Sequence, residues 1–156
     1  MEDLVVLSNW NWKKSRKRFL IGNEAGCLEL NPLYGALLRE LGLNVILVPA
    51  IVFKGSFDGP ATHVVLFVTC REEGGVETKY FVDVGFGEPP CNPLEYKFEK
   101  EHATSEGMVS RMIENDGKVV LEWFKDREWQ PRLQWNLADS LGSSSQTKKD
   151  LEQMLD

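Results

Sequence analysis

Three residues along the chain have the types needed for nucleophilic chemistry. Cys27 follows a glycine just ahead of a helical pattern, His63 begins an apolar strand pattern, and Asp83 comes near the end of another. A cysteine attacks as its thiolate, and because a free thiol has a pKa of about 8.5 it needs a base to take its proton. An imidazole can be that base, and a carboxylate can fix the imidazole tautomer. We therefore expect Cys27, His63 and Asp83 to form a catalytic triad.

The other two cysteines lack such a setting. Cys70 follows a strand pattern, and Cys91 lies among prolines. Three cysteines without a CxxC spacing, together with only two histidines, favour neither a disulfide framework nor a zinc site. We expect a reduced, cytoplasmic protein without a metal.

A helix that carries the nucleophile is predicted over residues 28–41. Its apolar residues recur at spacings of three and four, and they are Leu30, Leu33, Tyr34, Leu37 and Leu41. Gly42 then provides a helix end. Pro32 leaves two alternatives open. Either Asn31 caps a helix whose first residue is Pro32, or a first turn that starts at Cys27 is bent there.

After the helix the pattern changes to that of β-strands. Apolar and β-branched segments alternate with turns that contain glycine or proline, and Glu72–Gly75 and Asn115–Gly117 are typical of hairpin turns. The predicted strands are Val45–Phe53, Thr62–Thr69, Thr78–Val84, Met108–Ile113, Lys118–Phe124 and Trp129–Trp135. The pattern predicts an α+β fold in which a short helical segment precedes an antiparallel β-barrel or curled sheet of five or six strands.

Three segments divide the chain by composition. Residues 1–44 contain the nucleophile-bearing helix, residues 45–136 the barrel-like domain, and residues 137–156 a polar tail, linker or short helix. The basic run Lys13–Arg18 is left unassigned.

The overall charge limits the kinds of partner. The formal net charge is −6 and the pI about 5.0, which argues against nucleic acid as a main partner because binding to phosphates needs surplus cations. No apolar stretch approaches the roughly 20 residues that span a bilayer, and no secretory signal is predicted. We expect a monomer with small-molecule partners.

The segment around Asp83 resembles the arylamine N-acetyltransferases. That family's Asp-x-Gly-Phe-Gly motif is matched in full by Asp83-Val84-Gly85-Phe86-Gly87, and its histidine heads an apolar strand, as His63 does. The cysteine motif of the family is partly kept in Asn23–Asn31, and the order of cysteine, histidine and aspartate is the same.

The resemblance implies a cysteine-protease-like fold and a ping-pong reaction. The Cys27 thiolate would take the acetyl group from acetyl-CoA, and an arylamine or arylhydrazine nitrogen would then attack the thioester. His63 would move the proton, and Asp83 would orient the ring. The acceptor site would be lined by Phe86, Gly85 and Gly87. No bound cofactor is implied, and the family's N-terminal helical bundle and C-terminal lid are expected to be largely missing from this chain.

Two alternatives stay open. A papain-like or transglutaminase-like enzyme would use the same three residues on a different acyl substrate. The other alternative is an inactive, truncated remnant of the family, because Asn23–Gly26 replaces the family's Arg-Gly-Gly-aromatic sequence and Glu24 would oppose a nearby thiolate.

Overall fold

The computed structural model describes residues 27–86, 92–104 and 107–142. Within them, helix α1 covers Cys27–Glu40 and helix α2 covers Leu137–Ser140. The strands between the helices are β1 Asn44–Val52, β2 His63–Arg71, β3 Glu77–Val82, β4 Leu94–Glu95, β5 His102–Ala103, β6 Val109–Asn115, β7 Lys118–Lys125 and β8 Glu128–Asn136.

The strands form one antiparallel sheet in the order β4-β3-β2-β1-β8-β7-β6-β5. Strand β1 joins the two halves because it pairs with β2 along most of its length and with β8 at its end. The two ends of the sheet approach each other. Phe98, after β4, forms a β-bridge with Met112 in β6, and His102 in β5 is hydrogen-bonded to the backbone of Glu95 in β4. The predicted α+β fold with a curled, barrel-like antiparallel sheet is confirmed.

The curled sheet has a buried core on each face. The inner core consists of Val48, Ala50, Val65, Phe67, Phe81, Leu94, Met112, Val119, Leu121, Leu133 and Trp135. The outer core lies between the sheet and α1, and its buried members are Val45, Leu47, Val64, Leu66, Val68 and Val82. Because alternate side chains of a strand point to opposite faces, β2 contributes to both cores, and its residues from His63 to Val68 are all buried.

Helix α1 lies close to the sheet because of a glycine in its middle. A Cβ at Gly35 would come within 3.2 Å of Leu66 Cδ2 and 3.4 Å of Leu47 Cδ2, so a larger side chain would push the helix away. The helix ends at Glu40, one residue before its predicted end, and Gly42 follows with φ at 86°, a conformation that glycine adopts without strain.

The start of α1 settles the alternatives at Pro32. The helix already begins at Cys27, so the prediction that Asn31 caps a helix starting at Pro32 is wrong. Pro32 lies inside the helix, where it removes one main-chain hydrogen bond. The side chain of Asn31 turns towards the strands instead and is wholly buried.

The six predicted strands correspond to the six long strands of the sheet, with no end more than two residues from its predicted position. The predicted hairpin between β6 and β7 is present. Its loop has two residues, Asp116 and Gly117, with φ of 52° and 76°. The pattern missed the two-residue strands β4 and β5 and the helix α2. The division at residues 44 and 136 stays a prediction, and Lys13–Arg18, Gly87 and Cys91 lie outside the described residues.

Helix α2 is connected to the sheet by a chain of partly buried hydrogen bonds. The hydroxyl of Ser140 donates to the Leu137 carbonyl at 2.7 Å and accepts from the Tyr96 hydroxyl at 2.7 Å. Tyr96 in turn accepts from Trp135 Nε1 at 3.3 Å, and Lys79 donates to the Ser140 carbonyl at 2.8 Å. Burial raises the pKa of Tyr96 and lowers that of Lys79. The helix therefore closes the end of the barrel at which β3 begins.

Candidate active site

Neighbouring strands bring His63 and Asp83 together. His63 is the first residue of β2, Asp83 directly follows β3, and the two strands are antiparallel, so both residues lie at the same end of the sheet. His63 Nε2 and Asp83 Oδ2 are 2.6 Å apart, and the two side chains are 1% and 3% exposed. With a proton on Nε2 the ring donates to the carboxylate, which leaves Nδ1 as the basic nitrogen of the neutral imidazole.

A third residue, which sequence reasoning had considered only as a helix cap, holds the aspartate. Asn31 Nδ2 donates to Asp83 Oδ1 at 2.8 Å and to the Val64 carbonyl at 2.6 Å. Its carbonyl oxygen accepts from the Val84 amide at 2.9 Å. Both the nitrogen and the oxygen of the Asn31 side-chain amide thus have hydrogen-bond partners, and the residue is completely buried. The place of Asn31 at the end of the cysteine motif was the sequence signal that could have indicated this role.

The two oxygens of Asp83 have different partners. Oδ1 accepts from Asn31 and from the Gly85 amide at 3.1 Å, whereas Oδ2 faces His63. The carboxylate plane is therefore fixed from one side, and the oxygen that meets the imidazole cannot rotate away without breaking the bonds on the other. Such bonds to a charged acceptor are stronger than those between neutral groups.

Phe86 forms one wall beside the histidine. Its ring lies edge-on to the His63 ring, with centroids 5.1 Å apart and planes at 61°, and it packs against the inner core. Gly85 donates its amide to Asp83, and its place in the acceptor site stays a prediction. Gly87, the last residue of the motif, lies outside the described residues.

Arg132 and Trp123 also lie at this end of the barrel, and sequence reasoning missed both as site residues. Leu121 faces Leu133 but Glu122 faces Pro131, so Arg132 is the extra residue of a β-bulge in β8. Its guanidinium carbon lies 3.9 Å from the centroid of the Trp123 ring and 5.5 Å from that of Phe86. Pro131 was the available signal, because proline in a central strand is found at bulges.

The position of Cys27 follows from helix α1. It is the first residue of the helix and lies one turn before Asn31. Because Asn31 contacts Val64 and Asp83, the N-terminus of α1 lies at the sheet end that carries His63. Cys70, by contrast, lies near the opposite end of β2 and is a free, half-buried thiol.

The described part of the chain contains neither a cluster of metal ligands nor a helix that could span a membrane. Residues 27–86, 92–104 and 107–142 contain no group of three or more histidine, cysteine, aspartate or glutamate side chains able to hold a metal ion. Among the helices described there, none is long and apolar enough to cross a membrane.

Comparison with known proteins gives consistent matches. The sequence model of the N-acetyltransferase family matches residues 18–154. The arylamine N-acetyltransferase of Escherichia coli strain K12 is 28% identical over 127 residues, which are 79% of this chain and 43% of the E. coli protein.

Solved structures agree with the sequence matches. The arylamine N-acetyltransferase from Salmonella typhimurium superposes with a TM-score of 0.69 at 25% identity, over 94% of this chain and 53% of that one. The Mycobacterium marinum enzyme, solved in complex with CoA, gives 0.61 at 26% identity, over 81% and 51%. The chain thus spans about half the length of the relatives it matches.

Proposed function

Because the chain belongs to the arylamine N-acetyltransferase family, we propose that it transfers an acetyl group from acetyl-CoA to an arylamine or arylhydrazine nitrogen through a thioester on Cys27. The observation that carries the proposal is the buried 2.6 Å contact between His63 and Asp83, beside the helix that begins at the cysteine. CoA in the M. marinum relative supports acetyl-CoA as the donor.

The first step forms the nucleophile. His63 Nδ1 takes the thiol proton of Cys27, and the resulting imidazolium is stabilised through Nε2 by the Asp83 carboxylate. The N-terminus of α1 carries the positive end of the helix dipole, which favours a thiolate over a thiol.

The second step loads the acetyl group. The thiolate attacks the carbonyl carbon of acetyl-CoA, and the tetrahedral intermediate collapses with loss of CoA thiolate. The proton held on His63 goes to the departing CoA, so the products are an acetylated cysteine, free CoA and a neutral imidazole.

The third step releases the product. The acceptor nitrogen attacks the thioester carbonyl while His63 Nδ1 accepts a proton from that nitrogen, and the cysteine leaves as thiolate to regenerate the ion pair. Phe86 offers an aromatic surface next to His63 against which the ring of the acceptor can pack. Asn31 acts on Asp83 rather than on substrate, since it keeps the carboxylate in line with the imidazole.

The proposed chemistry also bears on the compartment in which the chain acts. A nucleophilic thiol has to stay reduced, which fits the cytoplasm and the free state of Cys70. We propose that the chain acts there as a monomer on small molecules and needs no resident cofactor.

Mass spectrometry after incubation with acetyl-CoA, without any amine, tests the proposal. We expect release of one CoA per chain and a mass gain of one acetyl group located on Cys27. Cys27→Ser should abolish both, whereas Cys70→Ser, a matched change at the far end of β2, should leave both intact. A chain that releases no CoA, or that acetylates Cys70 as fast as Cys27, would be inactive in the proposed sense. Acyl uptake from a peptide amide instead would assign the site to a papain-like or transglutaminase-like enzyme.

A further inference from the structure

A half-buried arginine lies between two aromatic rings at the active-site end of the barrel. Arg132 Cζ is 3.9 Å from the centroid of the Trp123 ring and 5.5 Å from that of the Phe86 ring. The Phe86 ring in turn lies edge-on to the His63 ring, with centroids 5.1 Å apart. A continuous series of contacts thus connects Trp123 in β7 with the histidine proposed as the catalytic base.

The sheet fixes the inner end of this series. Trp123 follows the inner-core residues Val119 and Leu121 at alternate positions of β7, and it is only 5% exposed. Arg132 is anchored through its main chain, because its carbonyl accepts a hydrogen bond from the Phe53 amide at 2.9 Å. The bulge in β8 takes its side chain out of the regular alternation of the strand, and the guanidinium stacks on the Trp123 ring. The position of the guanidinium therefore follows from the register of the strands.

The sheet constrains the outer end of the series less. Phe86 lies beyond the end of β3 at Val82, so the strand ladder does not hold its main chain. The position of its ring therefore depends on the groups that it contacts, which are the inner core, the His63 ring and the Arg132 guanidinium. A cation over a ring is attracted by the negative face of the π-system, and more strongly where water is excluded.

Other contacts hold the catalytic base. His63 Nε2 lies 2.6 Å from the Asp83 carboxylate, which Asn31 and the Gly85 amide hold on its other side. A displaced Phe86 ring would leave this pair of residues in contact and would change the surface beside it. Loss of Arg132 should therefore affect the binding of an acceptor ring more than the transfer of a proton.

We propose that Arg132 is a positioning residue that acts through Phe86 and gives the site its preference for amines and hydrazines that carry an aromatic ring. The proposal rests on the acetyltransferase function proposed above. The guanidinium, stacked on Trp123, keeps the Phe86 ring beside His63, where the ring of an acceptor can pack against it while the acceptor nitrogen reaches the base. This role requires no contact between Arg132 and the substrate.

Two acceptors that differ by one ring test the proposal. Phenylhydrazine and hydrazine present the same attacking group, so the ratio of their kcat/KM values measures recognition of the ring and cancels a general loss of activity. Arg132→Met keeps a long side chain and removes the cation. We expect the ratio to fall about fivefold, through a higher KM for phenylhydrazine with kcat nearly unchanged.

A second stacked arginine provides the matched control. Arg111 is also half-buried, and its Cζ lies 4.0 Å from the centroid of the Trp129 ring. It precedes the inner-core residue Met112 in β6 and so faces the outside of the sheet, away from Phe86. Arg111→Met should therefore leave the ratio unchanged.

A double variant tests whether Arg132 acts through Phe86. Phe86→Leu should lower the ratio at least as much as Arg132→Met does, and the two changes together should lower it no further than Phe86→Leu alone. Arg132→Lys keeps a cation beside the rings and should retain part of the ratio. Trp123→Phe offers the guanidinium a weaker platform and should also lower the ratio, which provides a second test if Arg132→Met fails to fold.

Several outcomes would overturn the proposal. An unchanged ratio in folded Arg132→Met would do so, as would an unchanged ratio in Trp123→Phe where Arg132→Met does not fold. An equal fall in Arg111→Met, or independent losses that multiply in the double variant, would count in the same way. If the unaltered chain acetylated neither hydrazine, the proposed function would fail and this inference with it. Normal transfer to both hydrazines, with a ratio that does not depend on Arg132, would refute the positioning role alone.

Discussion

Asn31 on helix α1 and Asp83 after strand β3 are 52 residues apart in sequence, and a 2.8 Å hydrogen bond joins them in a buried setting. The bond links the helix that begins at Cys27 to the carboxylate that faces His63. The nucleophile's helix and the histidine–aspartate pair are therefore one mechanical unit: a shift of α1 along the sheet moves the carboxylate as well.

Loss of the Asn31 amide should slow acetylation. Asn31→Ala removes a bond to a charged acceptor, worth about 1.5–3 kcal/mol, so the rate of CoA release should fall roughly tenfold to a hundredfold. Stability should fall too, because the Val64 carbonyl and the Val84 amide lose their buried partner. Circular dichroism would establish that the variant is folded, and Asn44→Ala, at an exposed position, is the control. A folded variant with an unaltered rate would show that Asp83 is held well enough by the other bonds.

Asp83→Asn keeps the shape of the side chain and removes its charge. The amide can no longer stabilise an imidazolium, and the His63 tautomer is no longer fixed, so we expect acetylation to slow by about 10³–10⁴-fold. The burst of CoA release measures this rate. Asp116→Asn in the β6–β7 hairpin is a matched control, because asparagine tolerates its positive φ. A loss smaller than tenfold would exclude Asp83 as the partner that His63 depends on.

Substitution of two tyrosines compares the stability contributed by partly buried hydrogen bonds with that of an exposed one. Tyr96→Phe removes the hydroxyl that connects Trp135 and Ser140 and should cost about 1–3 kcal/mol of unfolding free energy. Tyr80→Phe removes only an exposed bond to Glu72 and should lower the unfolding free energy much less than Tyr96→Phe does. Urea unfolding measures both. Because Tyr96 and α2 lie far from His63, the folded Tyr96 variant should keep its acetylation rate, and a large loss of rate would contradict this separation.

Acid should destabilise the fold in two separate windows. Burial lowers the pKa of His102, so the unfolded chain binds a proton more readily, and stability should fall as the pH drops below the ordinary value of 6.5. Hydrogen bonds from Lys100 and Lys97 lower the pKa of Glu95 to about 2, so its contribution is present above pH 4.5 and is lost between there and pH 2.

Urea unfolding across this pH range separates the two groups. His102→Gln should flatten the upper window alone, and Glu95→Gln the lower one. If His102→Gln left the upper decline unchanged, a different group would be responsible for it.

Much of this architecture follows from local pattern. The β6–β7 hairpin was predictable because Asn115-Asp116-Gly117 favours a two-residue turn with positive φ, and β2 because its apolar run has no polar interruption. The nearness of His63 and Asp83 also follows, since residues at the start of one strand and the end of its antiparallel neighbour meet at one edge. These features depend on short segments of chain.

The features that the sequence pattern missed depend on contacts between distant segments. The role of Asn31 requires the packing of α1 on β2, and the short helix α2 is held by the bonds of Lys79 and Tyr96 to Ser140. The two-residue strands β4 and β5 are defined by pairing rather than by composition. A bulge such as that at Arg132 is set by the register of two strands, on which a single strand's sequence carries little information.

Burial of β2 on both faces has a consequence for the aggregation of the chain when it unfolds. From His63 to Val68 the strand carries no Asp, Glu, Lys, Arg, proline or glycine and is rich in valine, the composition of segments that stack into intermolecular β-structure when exposed. Helix α1 covers one face of this strand. Helix α1, which begins at the nucleophile, thus also protects β2 from intermolecular pairing. A larger residue at Gly35 would displace this helix and so reduce both solubility and catalysis.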